Sequence, residues 1–247
     1  MLAQFHDRKE AGKLLAAKLT VYANKQDVIV LALPRGGVPV GFEIAQALHV
    51  PLDVIVVRKL GVPGQEELAL GAIATGGVRI LNNDVVQFLN IHNELIDKIA
   101  THEQHELERR ERLYRGDRPA YDIGGRTVIL VDDGIATGAT MHAAIEAIKQ
   151  RQPSRIIIAV PTAAPSTCDE FAVEVDELVC MIQPEPFIAV SYWYRQFSQT
   201  SDDEVRRLLE RANHGTSTMP SRQQNKPTTW NEEKKSGKDT SKTEVGR

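Results

Sequence analysis

The residues best suited to chemistry lie in one stretch, TVILVDDGIATGATMHAAIEAI, residues 127 to 148. Two adjacent carboxylates, Asp132 and Asp133, follow an apolar run and precede a loop of small and hydroxyl residues, Gly134 to Thr140. Such a loop is an anion cradle. Gly134 and Gly138 let the backbone turn its N–H groups toward one point, the start of the next helix adds partial positive charge, and Thr137 and Thr140 add hydroxyl donors. Carboxylates beside an anion repel it unless they hold something else, and sugar hydroxyls or a hydrated metal ion are the natural candidates. A solvated turn is the plain alternative for Asp-Asp-Gly at a strand end; the ATGAT that follows, opening into a helix, weighs against it.

Two common nucleotide signatures are absent from the sequence. The Gly-Lys pairs at 12–13 and 237–238 are followed by Leu and Asp rather than Ser or Thr, so there is no P-loop, and no G-x-G-x-x-G follows a strand-like run.

The elements that must hold the cradle follow from hydrophobic spacing. Val28 to Leu33 is continuously apolar and largely β-branched, as expected of a strand buried on both faces of a parallel sheet. Similar runs at Val54–Val57, Thr127–Val131, Arg155–Val160 and Glu177–Ile182 read as further core strands, with shorter strands at 68–74 and 78–81 around Thr75-Gly76-Gly77. Helical spacing over 7–23, 38–48, about 84–114 and the stretch after the cradle alternates with these strands. The pattern predicts an α/β domain with a mostly parallel open sheet flanked by helices.

The 247 residues are 42% apolar and 26% charged, with 30 basic and 33 acidic side chains for a net charge of −3. The balance argues against a nucleic-acid or membrane-surface partner. The last 35 residues, 213–247, carry seven basic and four acidic residues and few large apolar ones, a net +3 that leaves −6 on the remainder. They are expected to form a flexible polar tail on a 1–212 domain. Cys168 and Cys180 supply neither a disulfide framework nor a zinc site and suit a reducing compartment. No apolar run nears the roughly 18 residues of a membrane span. The charged N-terminus does not read as a signal peptide. A cytoplasmic protein is expected.

The stretch VILVDDGIATGAT closely resembles the phosphoribosyl-diphosphate (PRPP) binding motif of the type I phosphoribosyltransferases. Residue by residue, the resemblance implies that Asp132 and Asp133 hold the ribose 2′- and 3′-hydroxyls. It gives the 5′-phosphate to the loop Ala136, Thr137, Gly138, Ala139 and Thr140, entered through Gly134. LALPRGGVPVG, residues 31–41, lies where these enzymes carry a short pyrophosphate-binding loop. Arg35 suits a forked contact to phosphate, and Gly36-Gly37 suits close approach of backbone amides. VIVVRKLGVPGQEELALGAI, residues 54–73, is similar to the family's strand and mobile flap, nearest to the R-K-x-G of adenine-type members. Arg58 and Lys59 would then meet the diphosphate. The flap, roughly 60–67 with Gly61, Pro63 and Gly64, would act as a lid, and Glu67 or Glu66 would approach the acceptor as a base. The long aromatic-plus-acid signature of a true adenine enzyme is missing, which leaves the acceptor open.

The resemblance implies a small hood over the sheet edge and a site beyond the C-terminal ends of the strands. It implies transfer of the 5-phosphoribosyl group from PRPP to an acceptor nitrogen of a nucleobase or related small molecule, with release of pyrophosphate. Mg²⁺ is the implied cofactor, reached by Asp132 and Asp133 indirectly, through ribose or water. The catalytic residues would be Arg58, Lys59 and Glu67. A PRPP-binding regulator without turnover and a general sugar-phosphate binder are the alternatives. The cluster Phe187, Tyr192, Trp193, Tyr194 and Phe197 offers a ring to stack the acceptor, with core packing the ordinary role for most of it. His102 and His105 read as a solvated helix face, as do Arg8 and Lys9. Ser201 with Glu204 reads as a capping box opening a last helix. A homo-oligomer packed through the charged helix at 93–114 is compatible with this pattern.

Overall fold

The run after Asp27 becomes β1 (Val28–Ala32), every residue of which is buried. Alternate side chains serve two separate cores: Val28, Val30 and Ala32 join one, Ile29 and Leu31 the other. That is the behaviour of a central strand covered on both faces. The computed structural model describes residues 4–62 and 64–214, except the side chains of 65–67 and 214. The expected tail falls, from 215 onward, outside the described residues.

Four further strands, β2 (Leu52–Val54), β6 (Thr127–Val131), β7 (Arg155–Thr162) and β8 (Glu177–Ile182), pair with β1 in parallel in the order β2-β1-β6-β7-β8. Helices α1 (Arg8–Lys18), α2 (Gly37–Leu48) and α7 (Asp202–His214) serve one face, and α5 (Ala139–Gln150) with α6 (Pro165–Ala172) the other. Strands β3 (Val57–Val62), β4 (Gln65–Ala74) and β5 (Val78–Leu81) form a separate antiparallel sheet, followed by α3 (Asn83–Phe88) and α4 (Asn93–Arg115). The expected class, a parallel open sheet flanked by helices, is the one observed.

Three local differences from the sequence reading have physical causes. The apolar run Val54–Val57 is not one strand: β2 ends at Val54 and β3 starts at Val57 in the other sheet. Thr75 fastens the crossing, its N–H donating to the Val56 carbonyl (2.9 Å) and its hydroxyl accepting from the Val56 amide (2.8 Å). The single helix expected over 84–114 is broken because Asn90 turns left-handed (φ 47°), a conformation Asn tolerates. Helix α6 had a signal in Pro165, which sits at its first turn where a missing N–H costs nothing.

Arg115, near the end of α4, is buried and grips Asp53 of β2 with Nε 2.8 and 3.0 Å from the two carboxylate oxygens. This pair seats the second sheet's long helix beside the main sheet, with both charges compensated.

Candidate active site

The C-terminal end of β6 delivers both acidic residues into the cleft edge. Asp132 Oδ1 accepts the Asp133 N–H (2.8 Å). A β-carbon on Gly36 would lie 2.0 Å from Asp133 Oδ2, and one on Gly37 would lie 2.9 Å from the Asp132 Cα. Gly36 is therefore required by the Asp133 carboxylate and Gly37 by the β6 end, whose Val131 carbonyl would lie 2.7 Å from its β-carbon, beyond any phosphate they approach. Their loop and the β6 end are two halves of one packed unit.

Downstream, Gly138 (φ 76°) caps α5 without a side-chain hydrogen bond, and a β-carbon there would collide with Phe171 of α6 at 2.8 Å. The amides of residues 136 to 140 find no acceptor among the described residues. A run of unpaired N–H groups at a helix start is the arrangement that receives an anion. Helix α6 backs this turn: His142 stacks on Phe171 at 4.3 Å and lies between Glu170 and Glu174.

Electrostatics set the acidic pair apart from ordinary carboxylates. Burial pushes Asp132 well above the usual range, and the Asp133 charge pushes it further. Burial also raises Asp133, against the pull of the Arg8 guanidinium. Arg8 is not on a solvated helix face. Its Nε lies 2.7 Å from Asp133 Oδ2, its Nη1 donates to the Ser198 carbonyl (2.7 Å), and its Cζ sits 3.8 Å over the Phe197 ring. The start of α1 is fixed by Asp7, whose side chain accepts the Glu10 N–H, while Glu10 accepts the His6 N–H. That D-x-x-E cap was legible in the sequence; its consequence, a partly buried arginine paired with Asp133, was not.

Adjacent residues on β3 diverge. Lys59 and Val57 line a cavity of about 290 Å³ between the antiparallel sheet and α5, with Thr140 and His142 on its other wall. Arg58 turns to the opposite face, where its Nε bonds Glu103 of α4 at 2.7 Å. Successive strand residues point to opposite faces, so the structure does not bring the two cations together: Lys59 lies on the cradle side and Arg58 on the α4 side. Arg35 lies at the loop, 3.9 Å from Asp202 at the start of α7. The expected flap is a β-hairpin joining β3 and β4, with register shifts between Leu60 and Val62. Glu67 belongs to β4 in its backbone; its side chain, like that of Glu66, lies outside the described part.

A model of the phosphoribosyl transferase domain matches residues 1–184. The chain belongs to that family. Proteins from two Mycobacterium tuberculosis strains, both provisionally named phosphoribosyl transferases, are 47% identical over 208 residues, or 84% of this chain and 47% of theirs. The chain thus spans about half the length of those curated relatives. The crystal structure of TT1426 from Thermus thermophilus shares 38% identity with a TM-score of 0.74, covering 83% of this chain and 97% of that one.

In this phosphoribosyltransferase-family chain the late aromatic cluster divides. Trp193 and Tyr194 are buried, and the Tyr194 hydroxyl donates to the Asp133 carbonyl (2.6 Å). Tyr194 packs between Phe5 and Phe197, so these rings brace the acidic pair from behind. Tyr192 alone of the three consecutive aromatics is exposed. His102 and His105 are both exposed on α4, and no group of three or more metal-binding side chains exists among the described residues. Ser201 does cap α7, accepting the Glu204 N–H at 3.1 Å. No helix among the described residues is long and apolar enough to cross a membrane.

Proposed function

We propose that the chain transfers a 5-phosphoribosyl group from PRPP to an acceptor nitrogen and releases pyrophosphate. The observation that carries this reading is the continuity of three binding elements. Unpaired amides at the α5 start, two carboxylates at the β6 end and the PRGG loop packed against them lie together along the strand ends. The amides suit the 5′-phosphate, the carboxylates the ribose hydroxyls, and Arg35 with Lys59 the diphosphate. The catalytic unit would be 1–212, with 213–247 appended.

The chemistry asked of these residues is modest. The bond from the anomeric carbon to the diphosphate oxygen breaks, positive charge grows on the ribose, and a new bond to nitrogen forms as the acceptor gives up its proton. Fixed cations at the departing diphosphate favour that charge separation, and acceptors on the hydroxyls fix the sugar's orientation. Mg²⁺ fits the donor set: with no cluster of three ligating side chains among the described residues, a cation here would retain waters and ride on substrate oxygens, reached indirectly by Asp132 and Asp133. When bound it would neutralise the leaving diphosphate.

Pyrophosphate release from PRPP across a panel of nucleobases and related nitrogen compounds tests this. Release with one class of acceptor is expected. Tight PRPP binding without release for any acceptor would make the chain a regulator, and no PRPP binding would overturn the reading.

A further inference from the structure

The two carboxylates of the motif differ in what they are already doing. Three of the four polar groups of Asp133 are committed to protein. Its N–H donates to Asp132 Oδ1 (2.8 Å), its carbonyl accepts the Tyr194 hydroxyl (2.6 Å), and its Oδ2 accepts Arg8 Nε (2.7 Å). The side chains of Arg8 and Asp133 are only 11% and 14% exposed. Arg8 in turn is held from three directions, by Asp133, by the Ser198 carbonyl and by the face of Phe197. Asp132 has no such clamp. Its Oδ2 meets no donor among the described residues, and the residue is only partly buried.

We infer, resting on the PRPP reading above, that the pair divides its labour. Asp132 reads the ribose hydroxyls, whereas Asp133 is a strut, and Arg8 is the positioning residue that holds it. The strut joins four parts of the chain: the start of α1, the end of β6, the PRGG loop lying against Asp133 Oδ2, and the late segment carrying Tyr194, Phe197 and Ser198. Through it, the N-terminal helix sets where Asp132 and the diphosphate loop sit relative to each other. Lysine cannot replace Arg8 in full, because a single ammonium does not supply a planar stack on Phe197 and two divergent hydrogen bonds together.

Calorimetric binding of ribose 5-phosphate and of its 2,3-dideoxy counterpart reads this directly. The full chain should prefer the hydroxylated ligand by at least about tenfold, since hydrogen bonds to a charged acceptor are being compared with none. Asp132→Asn should lose most of that preference. Asp133→Asn should keep the preference while weakening both ligands together. Arg8→Gln should weaken both ligands more than Asp133→Asn does, because it strands a buried carboxylate, and Arg8→Gln with Asp133→Asn should recover part of the loss. If Asp133→Asn erases the preference as Asp132→Asn does, both carboxylates read ribose and the division is wrong, with the PRPP reading intact. If the unmodified chain shows no preference for the hydroxyls, the PRPP reading falls first. The comparison of the two Asn variants decides the division even if the Arg8 variant does not fold.

Discussion

Two pairs of adjacent charged residues, Asp132-Asp133 and Arg58-Lys59, meet opposite fates. The acidic pair lies just beyond β6, where the chain leaves the sheet, and both residues end against the same glycine loop. The basic pair lies inside β3, where strand geometry sends one side chain to α4 and the other to the α5 side. Adjacency in sequence therefore means a shared site only where the backbone is free of a ladder. The same contrast separates the glycines. Those at 36, 37 and 138 are pressed by carboxylates, backbone or Phe171, while Gly77 in the β4–β5 turn has nothing within 4 Å of where a β-carbon would stand.

The largest expected effect follows from that second contrast. Gly36→Ala drives a methyl into Asp133 Oδ2 and should lower PRPP affinity by roughly two orders of magnitude, since misplacing binding groups by about 1 Å carries that scale of cost. Gly77→Ala meets only the strain of its positive φ (77°), worth about 1 kcal/mol, and should leave affinity unchanged while lowering Tm slightly. Equal losses of affinity for the two variants would show that the loop and the acidic pair are not one unit.

What the sequence disclosed tracks the locality of the forces. Four of the five core strands, all but β2, and the cradle were legible because burial on both faces and a glycine-bounded turn are written in consecutive residues. Gly36 and Gly37 were recognised as permitting close approach, but the groups that approach, Asp132 and Asp133, come from a distant part of the chain. Arg8 was misread for the same reason: its spacing fits a surface helix, and only the fold brings Asp133 and Phe197 to it. The face chosen by Arg58 depended on where β3 begins, and the apolar residues of 54–57 concealed the break between two sheets.

The basic pair gives the next prediction. Lys59→Ala should weaken pyrophosphate and PRPP by about tenfold with little change in Tm, a charge-assisted contact being worth about 1.5–3 kcal/mol. Arg58→Ala should do the reverse. It leaves Glu103 without its guanidinium, and a loss of about 1 kcal/mol corresponds to a fall of about 2–4 °C in a domain of this size. Affinity for pyrophosphate should move less than about threefold, a difference of about 0.6 kcal/mol. A larger loss of affinity in the Arg58 variant would place that side chain on the ligand after all.

The smallest effect belongs to the acidic pair and concerns stability alone. Burial and the neighbouring Asp133 charge raise the Asp132 carboxyl above the value it has in an unfolded chain. As pH rises past about 4, the unfolded state gives up this proton first, so folding stability falls until the folded carboxyl also ionises. Asparagine has no proton to lose. Asp132→Asn should therefore match the unmodified chain in Tm near pH ~4 and exceed it by a few degrees at pH ~8, even as ribose recognition is lost. Asp133→Asn should gain less, because it removes the partner that Arg8 already holds at 2.7 Å. Thermal melts of both variants across that range decide the matter. A Tm difference for Asp132→Asn that is constant with pH, or a larger gain from Asp133→Asn, would mean that the uncompensated charge sits on the other carboxylate.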